Sequence, residues 1–341
     1  MTEQALYRKY RPEAWDDVVG QEHIVSVLEA VIEKGTPSHA YLFHGGRGTG
    51  KTSLARIFAK SLGVSREDVY EIDAASNRKI EHVRELRETV HTLPFSSPYK
   101  VYILDEAHML TTEAWNALLK TLEEPPSHVI FILATTEFDD VPETIISRCQ
   151  VFAFRKPTHK ILAEVVKKTA KAEGYELPAA SADLIALLGD GSFRDTQGIL
   201  QKVMTASGDK KITDDEVATI VGAPRSALVH EVITGIAKGE APVALGAIRA
   251  AVEAHADMQA FAMLLLRALR AILLIRFGEA KHLKDELSDT DFTFFSQVAK
   301  EHMKLNADAL KEFLIAGADI RRSPIPELPL ELAVIRLCEK K

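Results

Sequence analysis

The sequence has only two cysteines among 341 residues, Cys149 and Cys338. They form no CxxC pair and cannot assemble a four-thiolate zinc site. A disulfide framework is equally disfavoured, which makes a reducing cytoplasm the expected compartment. An excess of basic charge is also missing, since the formal net charge is -7. That argues against a large, uniformly basic nucleic-acid surface, although a sum hides any local basic lining. The most apolar stretch, Leu264–Leu274, is interrupted by Arg267 and Arg270, which predicts a packed helix rather than a membrane span. The opening Met1-Thr2-Glu3-Gln4 lacks the basic-then-apolar layout of a secretory signal. Repeats and low-complexity tracts are not visible. What remains is 46% hydrophobic and 27% charged, the composition of a folded globular chain long enough for about two or three domains.

The run Gly45-Gly46-Arg47-Gly48-Thr49-Gly50-Lys51-Thr52 fits the phosphate-loop pattern G-x-x-x-x-G-K-[ST] at every fixed position. Strand-like Ala40–Phe43 precedes it and helix-forming Ser53–Lys60 follows. This is the strand–loop–helix context the motif requires. Glycines let the backbone wrap an anion in conformations closed to other residues. The wrapped amides and the helix N-terminus then face the phosphates. Lys51 is expected to reach the β- and γ-phosphates of ATP, and the Thr52 hydroxyl to ligate magnesium.

Between about Ala40 and Phe154, strands alternate with helices. Strands are predicted at Ala40–His44, Val69–Asp73, Val101–Asp105, Val129–Thr135 and Val151–Phe154, each apolar on both faces as in a buried parallel sheet. Helices are predicted at Ser76–His91 and Thr111–Glu123. The alternation signals a three-layer α/β domain with its ligand at the carboxyl ends of the strands. After Lys156-Pro157 the strand signal stops. The expected division is therefore residues 1–157 as the α/β nucleotide-binding domain, 158–222 as a small helical lid and 223–341 as an all-α domain. Within the lid, Thr213–Glu216 reads as a capping box, and within the all-α domain Ser323–Pro329 breaks the chain before a last helix, Leu330–Glu339.

Val101–Asp105 is an apolar strand running into Asp105-Glu106. A carboxylate pair there suits a helix N-cap, but after a phosphate loop it also suits chemistry. Asp105 would hold magnesium, and Glu106 would polarise the attacking water. Thr135-Thr136 ends another buried strand, where a hydroxyl can sense the γ-phosphate, although threonine is common in strands. On spacing alone, Arg148 in Ser147-Arg148-Cys149 and Arg194 in Gly191–Asp195 read as solvated surface groups. His108 has no second ligand at metal spacing. Trp115, Leu118, Leu119 and Leu122 recur at helical spacing and read as a core face. Cys149 reads as a small buried hydrophobe, and Arg321-Arg322 as a surface turn.

Taken together, these pieces resemble the AAA+ ATPases of the clamp-loader group, most closely the bacterial DNA polymerase III gamma/tau family. The resemblance rests on Tyr7-Arg8-Lys9-Tyr10-Arg11-Pro12, Val18-Val19-Gly20-Gln21-Glu22-His23, Glu71-Ile72-Asp73-Ala74-Ala75-Ser76, Leu118–Pro126 with its Leu-Glu-Glu-Pro-Pro ending, and Ile146-Ser147-Arg148-Cys149. It implies an α/β AAA+ domain, a helical lid and an all-α collar that joins the subunits of a pentamer. Arg148 would be an arginine finger entering the ATP site of a neighbouring subunit. Thr136 and Arg194 would be the first and second sensors. The segment from Tyr7 through Arg11, Pro12 and Val19 would close over the adenine base. Arg84 and Thr144 match positions that hold the DNA backbone. Asn77 stands where an arginine is usual, so Arg78 or Lys79 is expected to substitute. The implied partners are delta and delta-prime subunits, further gamma copies, the beta sliding clamp and primer–template DNA, in a cytoplasmic, nucleoid-associated setting without membrane.

Two departures from the family pattern stand out. The four-cysteine zinc module usual before the second strand is replaced by the direct bridge Ser61–Asp68, so ATP and magnesium but no zinc are expected. The chain also stops just after the collar, which implies a gamma-like short form without the tau-specific extensions. Two rivals stay open at this level. One is a different DNA-linked AAA+ motor, such as a branch-migration helicase or a replication-restart ATPase. The other is a delta-prime-like stator that turns over no ATP.

Overall fold

The structure, a computed structural model, describes residues 4–76, 86, 88–281, 283, 287 and 289–339. The chain divides into two compact units, Met1–Thr169 with Gly189–Gln201, and Ala170–Leu188 with Lys202–Lys341. The segment bearing Arg194 thus belongs to the first unit.

The first unit is built on a five-stranded sheet with strand order β2-β3-β4-β1-β5. Its strands are β1 (Ala40–His44), β2 (Val69–Asp73), β3 (Lys100–Asp105), β4 (Val129–Thr135) and β5 (Gln150–Ala153), all paired in parallel. Strand periodicity sends alternate side chains to opposite faces. Tyr41, Phe43, Ile103, Ile130 and Ile132 pack on Ile24, Leu28, Leu54 and Phe58 from helices Glu22–Lys34 and Lys51–Ser61. Leu42, Tyr102, Leu104, Phe131 and Leu133 pack on Trp115, Leu118 and Leu122 of helix Thr112–Glu123. These are the layers expected of a three-layer α/β domain, and Thr111 caps the second helix by accepting from the Ala114 amide. The expectation of burial on both faces holds for β1, β3 and β4 but fails for β2 and β5. Both lie at sheet edges, where one flank has no neighbouring strand. The predicted helix at Ser76–His91 falls largely outside the described residues.

The second unit is helical. A single apolar core joins helices Ser226–Lys238, Ala241–Glu253, Met258–Arg276, Ala307–Asp319 and Leu328–Glu339. Met258–Arg276 is long and apolar enough by composition to cross a membrane, yet Phe261, Leu265, Leu269 and Ile272 are buried in this core. Thr213 and Glu216 form the predicted capping box. The last helix starts at Leu328 rather than Leu330, because Pro329 falls in its first turn, where a missing amide costs nothing.

Candidate active site

The site forms where β1, β3 and β4 end side by side. The phosphate loop leaves β1 at His44, and its first amide, Gly45 N–H, donates to the Thr135 carbonyl at the end of β4 (3.2 Å). The loop needs its glycines. Gly45, Gly48 and Gly50 have φ of 144°, 69° and 101°, a region that L side chains avoid. A Cβ on Gly45 would collide with the Phe154 carbonyl, and one on Gly48 with the Ser192 hydroxyl. Thr49 is buried and closes the turn by donating to the Gly46 carbonyl (2.9 Å). Arg47 points into solvent.

Helix Lys51–Ser61 starts directly after Gly50. Lys51 is only 6% exposed and donates to the carbonyls of Gly45 (2.8 Å) and Gly46 (2.9 Å). Burial lowers its pKa, an effect opposed by the carboxylates of Glu106 and Asp105. Burial also lowers the His44 pKa, with the Lys51 charge acting in the same direction. Thr52 Oγ1 donates to Asp105 Oδ2 at 2.7 Å. Glu106 takes a left-handed backbone, φ 49°, that turns the chain sharply out of β3. Its carboxylate accepts from Thr136 Oγ1 at 3.2 Å. The loop, Lys51, Thr52, Asp105, Glu106 and Thr136, widely spaced in the sequence, therefore converge.

A second group meets the loop from the Gly189–Gln201 segment. The Phe193 amide donates to the Gly48 carbonyl (3.0 Å), and Ser192 caps the following helix by accepting from Asp195 N–H (3.1 Å). Arg194, next in sequence, lies over the Tyr7 ring, 5.1 Å from its centroid. The turn bearing Tyr7 is tied to the same segment, because Leu6 N–H donates to Gln201 Oε1 (3.1 Å). Arg11 has its pKa lowered by burial and by Arg56, against the opposing carboxylates of Glu71 and Asp105. Pro12 is half-buried and Val19 is exposed. Gln21 fixes the start of helix Glu22–Lys34, donating to the Arg155 carbonyl (2.7 Å) and accepting from the Arg155 amide (3.2 Å).

Arg148 is not part of this cluster. Its guanidinium donates to the Thr144 carbonyl (2.6 Å), Ser147 Oγ (3.2 Å) and Glu123 Oε1 (2.6 Å). Thr144 itself is exposed. Arg78, Lys79 and Arg84 lie outside the described residues. Cys149 sits beside Arg148 with its thiol pushed up to about 12 by burial, as suits a packed side chain.

Sequence reasoning missed three contacts. His108 Nδ1 lies 3.0 Å from Thr135 Oγ1 and 3.7 Å from Glu106 Oε2. The Lys156 stem lies where a Cβ on Gly46 or Gly191 would touch it. Ser192 was legible as an N-cap, three residues before Asp195, but nothing marked it as the seat of the phosphate loop.

The residues present fit a magnesium nucleotide. Glycines hold a loop that a Cβ would block, an ammonium group lies inside it, and a hydroxyl and a carboxylate offer the hard oxygens magnesium prefers. Among the described residues, no cluster of three or more His, Cys, Asp or Glu side chains is placed to hold a metal ion.

Comparison with known proteins places this geometry. A family model described as DNA polymerase III subunits gamma and tau domain III matches residues 212–341. A second, described as DNA polymerase III, delta subunit, matches residues 64–158. The DNA polymerase III subunit tau of Bacillus subtilis is 35% identical over 363 residues, covering 99% of this chain and 64% of the relative. The gamma/tau subunit of Mycobacterium tuberculosis H37Rv is 37% identical over 360 residues, covering 98% and 62%. The chain thus spans less than two thirds of the length of these relatives. Among solved structures, the RuvB Holliday junction branch migration motor of Thermotoga maritima superposes with a TM-score of 0.54 at 23% identity, over 67% of this chain and 79% of that one. That likeness is one of fold, the AAA+ phosphate-loop fold. The motifs, the sheet and a similarity that runs over 98–99% of this chain agree in pointing to the gamma/tau subunits of DNA polymerase III.

Proposed function

We propose that the chain is the ATP-hydrolysing motor subunit of a bacterial clamp loader, and that its ATP site is completed by a neighbouring subunit. The observation that carries the reading is the convergence of Lys51, Thr52, Asp105, Glu106 and Thr136 on one glycine-built loop, while Arg148 is bonded elsewhere. Loop amides and Lys51 bind the phosphates. Thr52 and Asp105 hold magnesium, which when bound neutralises charge on the β- and γ-phosphate oxygens. Glu106 takes the proton of the attacking water, and Thr136 keeps its carboxylate aimed. Arg194 senses the γ-phosphate from within the chain, since its neighbour Phe193 is bonded to Gly48. Tyr7, Arg11, Pro12 and Val19 belong to the segment that covers the base. Arg148 acts in trans.

On this reading the partners are delta, delta-prime and further gamma subunits joined through residues 223–341, with 158–222 acting as the lid. The beta clamp and primer–template DNA are the cargo, and the DNA backbone is held by Thr144, Arg84, Arg78 and Lys79. The setting is cytoplasmic. ATP binding favours the assembled, clamp-opening arrangement because it binds that arrangement more tightly, and hydrolysis releases it.

The test mixes two inactive variants, Lys51→Ala and Arg148→Ala, with partner subunits, clamp and primed DNA. Lys51→Ala loses ATP binding but keeps its arginine, and Arg148→Ala does the reverse. Turnover by the mixture above that of either variant alone supports a shared site. Co-assembly with no recovered turnover refutes it.

A further inference from the structure

Two of the sequence's most distinctive runs, Leu122-Glu123-Glu124-Pro125-Pro126 and Ser147-Arg148-Cys149, are 25 residues apart where they meet, at Glu123 and Arg148. The meeting is close. Arg148 Nη2 lies 2.6 Å from Glu123 Oε1, and Nη1 is held by the Thr144 carbonyl and Ser147 Oγ. Glu123 is the last residue of helix Thr112–Glu123. A carboxylate in a last turn opposes the helix dipole, so the choice is locally unfavourable and calls for a compensating role. The helix beneath it is rigid, with Leu118 and Leu122 buried in the sheet's core and Pro125-Pro126 ending it. A carboxylate on such a platform fixes whatever it binds.

We propose that Glu123 is a positioning residue for Arg148, holding the guanidinium in one rotamer so that it meets the neighbouring subunit's nucleotide without a search. The inference rests on the trans reading of Arg148 above. A free arginine loses considerable rotamer freedom when it is fixed in an interface. Here that freedom is surrendered within the chain before any subunit docks. Two of the guanidinium's three nitrogens are engaged. Nε, with no acceptor among the described residues, is left to meet an anion. The Arg148 side chain is 32% exposed and that of Glu123 48%, so the pair sits where a neighbour can reach it.

The test measures steady-state ATP turnover in the complete loader with clamp and primed DNA, comparing the parent with Glu123→Ala, Glu123→Gln and Arg148→Ala. Glu123→Ala should lower kcat about tenfold with KM for ATP little changed, as expected when a reacting group loses its orientation. Glu123→Gln keeps an acceptor of the same shape and should fall by only about threefold, as the charged bond is roughly twice as strong as the neutral one. Mixing Glu123→Ala with Lys51→Ala should restore turnover, because Lys51→Ala chains supply a correctly held Arg148. Parental or faster turnover by Glu123→Ala overturns the proposal, and so does a loss that mixing fails to restore. If Arg148→Ala itself turns over normally, the trans reading fails instead. Should Glu123→Ala not assemble, the isosteric Glu123→Gln carries the same comparison: a kcat loss rescued by mixing supports positioning, and parental turnover refutes it.

Discussion

Removing the charge of Asp68 should loosen the loop 95–97 without touching the nucleotide site. Asp68 ends the direct bridge from helix Lys51–Ser61 to β2. Its carboxyl is fully buried and accepts from the amides of Phe95 (2.6 Å), Ser96 (3.0 Å) and Ser97 (3.0 Å). Ser65 joins the knot through its own bond to Asp68 (3.3 Å) and its amide's bond to Ser97 Oγ (2.8 Å). Burial alone would raise the Asp68 pKa, but the bonds from Ser96, Phe95 and Ser97 outweigh it and hold the value down, from 3.8 to about 2. Such a depression corresponds to at most about 2.5 kcal/mol in favour of the folded loop. Screening at the protein surface, where Phe95 is 85% exposed, reduces this to about 1 kcal/mol. The contribution is complete above the unfolded carboxyl pKa and is lost as pH falls from about 4 toward about 2. Asp68→Asn should therefore speed amide exchange at Phe95, Ser96 and Ser97 about fivefold at neutral pH, while exchange in β3 and β4 stays unchanged. The parent should approach the variant's exchange, corrected for intrinsic rates, as the solution is acidified. Equal protection of those three amides in both proteins at neutral pH would refute the reasoning.

Three other perturbations separate chemistry from architecture. Glu106→Gln should bind ATP with near-parental affinity yet turn over about 10²–10⁴-fold more slowly, which equilibrium nucleotide titration and steady-state hydrolysis would resolve together. Gly48→Ala forces a side chain into a φ of 69° and into Ser192. The backbone strain alone is about 1–2 kcal/mol, so nucleotide titration should show lost binding while circular dichroism shows the sheet intact. Arg276 donates to the carbonyls of Ala299 (3.0 Å), Leu305 (2.6 Å) and His302 (2.6 Å), tying off the end of helix Asp289–Glu301. Arg276→Ala should destabilise the helical unit by about 2–3 kcal/mol, seen as a lower denaturation midpoint, with Arg276→Lys recovering only part because an ammonium lacks the guanidinium fork.

The parts legible in the sequence were those governed by local rules. Glycine spacing marked the phosphate loop because only glycine tolerates φ of 144° and 101° there. Apolar runs marked β1, β3 and β4 because both their faces are buried. The carboxylates at the end of β3 were legible because the chain reverses immediately after an apolar strand. What was hidden depends on which distant segments become neighbours. The exposure of β2 and β5 follows from strand order, which no single strand encodes. His108 looked inert because its partners, Thr135 and Glu106, come together only when β3 and β4 pair in register. Glu123 stood out only as part of the Leu-Glu-Glu-Pro-Pro run, and its contact with Arg148 stayed hidden, since Arg148 lies two elements further along the chain.

Both arginines that the proposed mechanism needs at the γ-phosphate are engaged by side chains of their own unit. Arg194 rests on the Tyr7 ring and Arg148 on Glu123. Each hold is modest, because a cation over a half-buried aromatic ring and a half-exposed ion pair are each worth about 1 kcal/mol or less. A charge-assisted bond to a phosphate inside a dry interface is worth more, about 1.5–3 kcal/mol. On the proposed mechanism, engaging the phosphate is therefore favourable only when nucleotide and neighbour are both in place, and the isolated chain keeps its arginines ordered but idle. On that mechanism, such an arrangement makes hydrolysis a property of the assembly rather than of the subunit. It also predicts which residues set the threshold: weakening Tyr7 or Glu123 should alter how readily the arginines engage, while weakening Lys51 or Glu106 should alter what happens once they have.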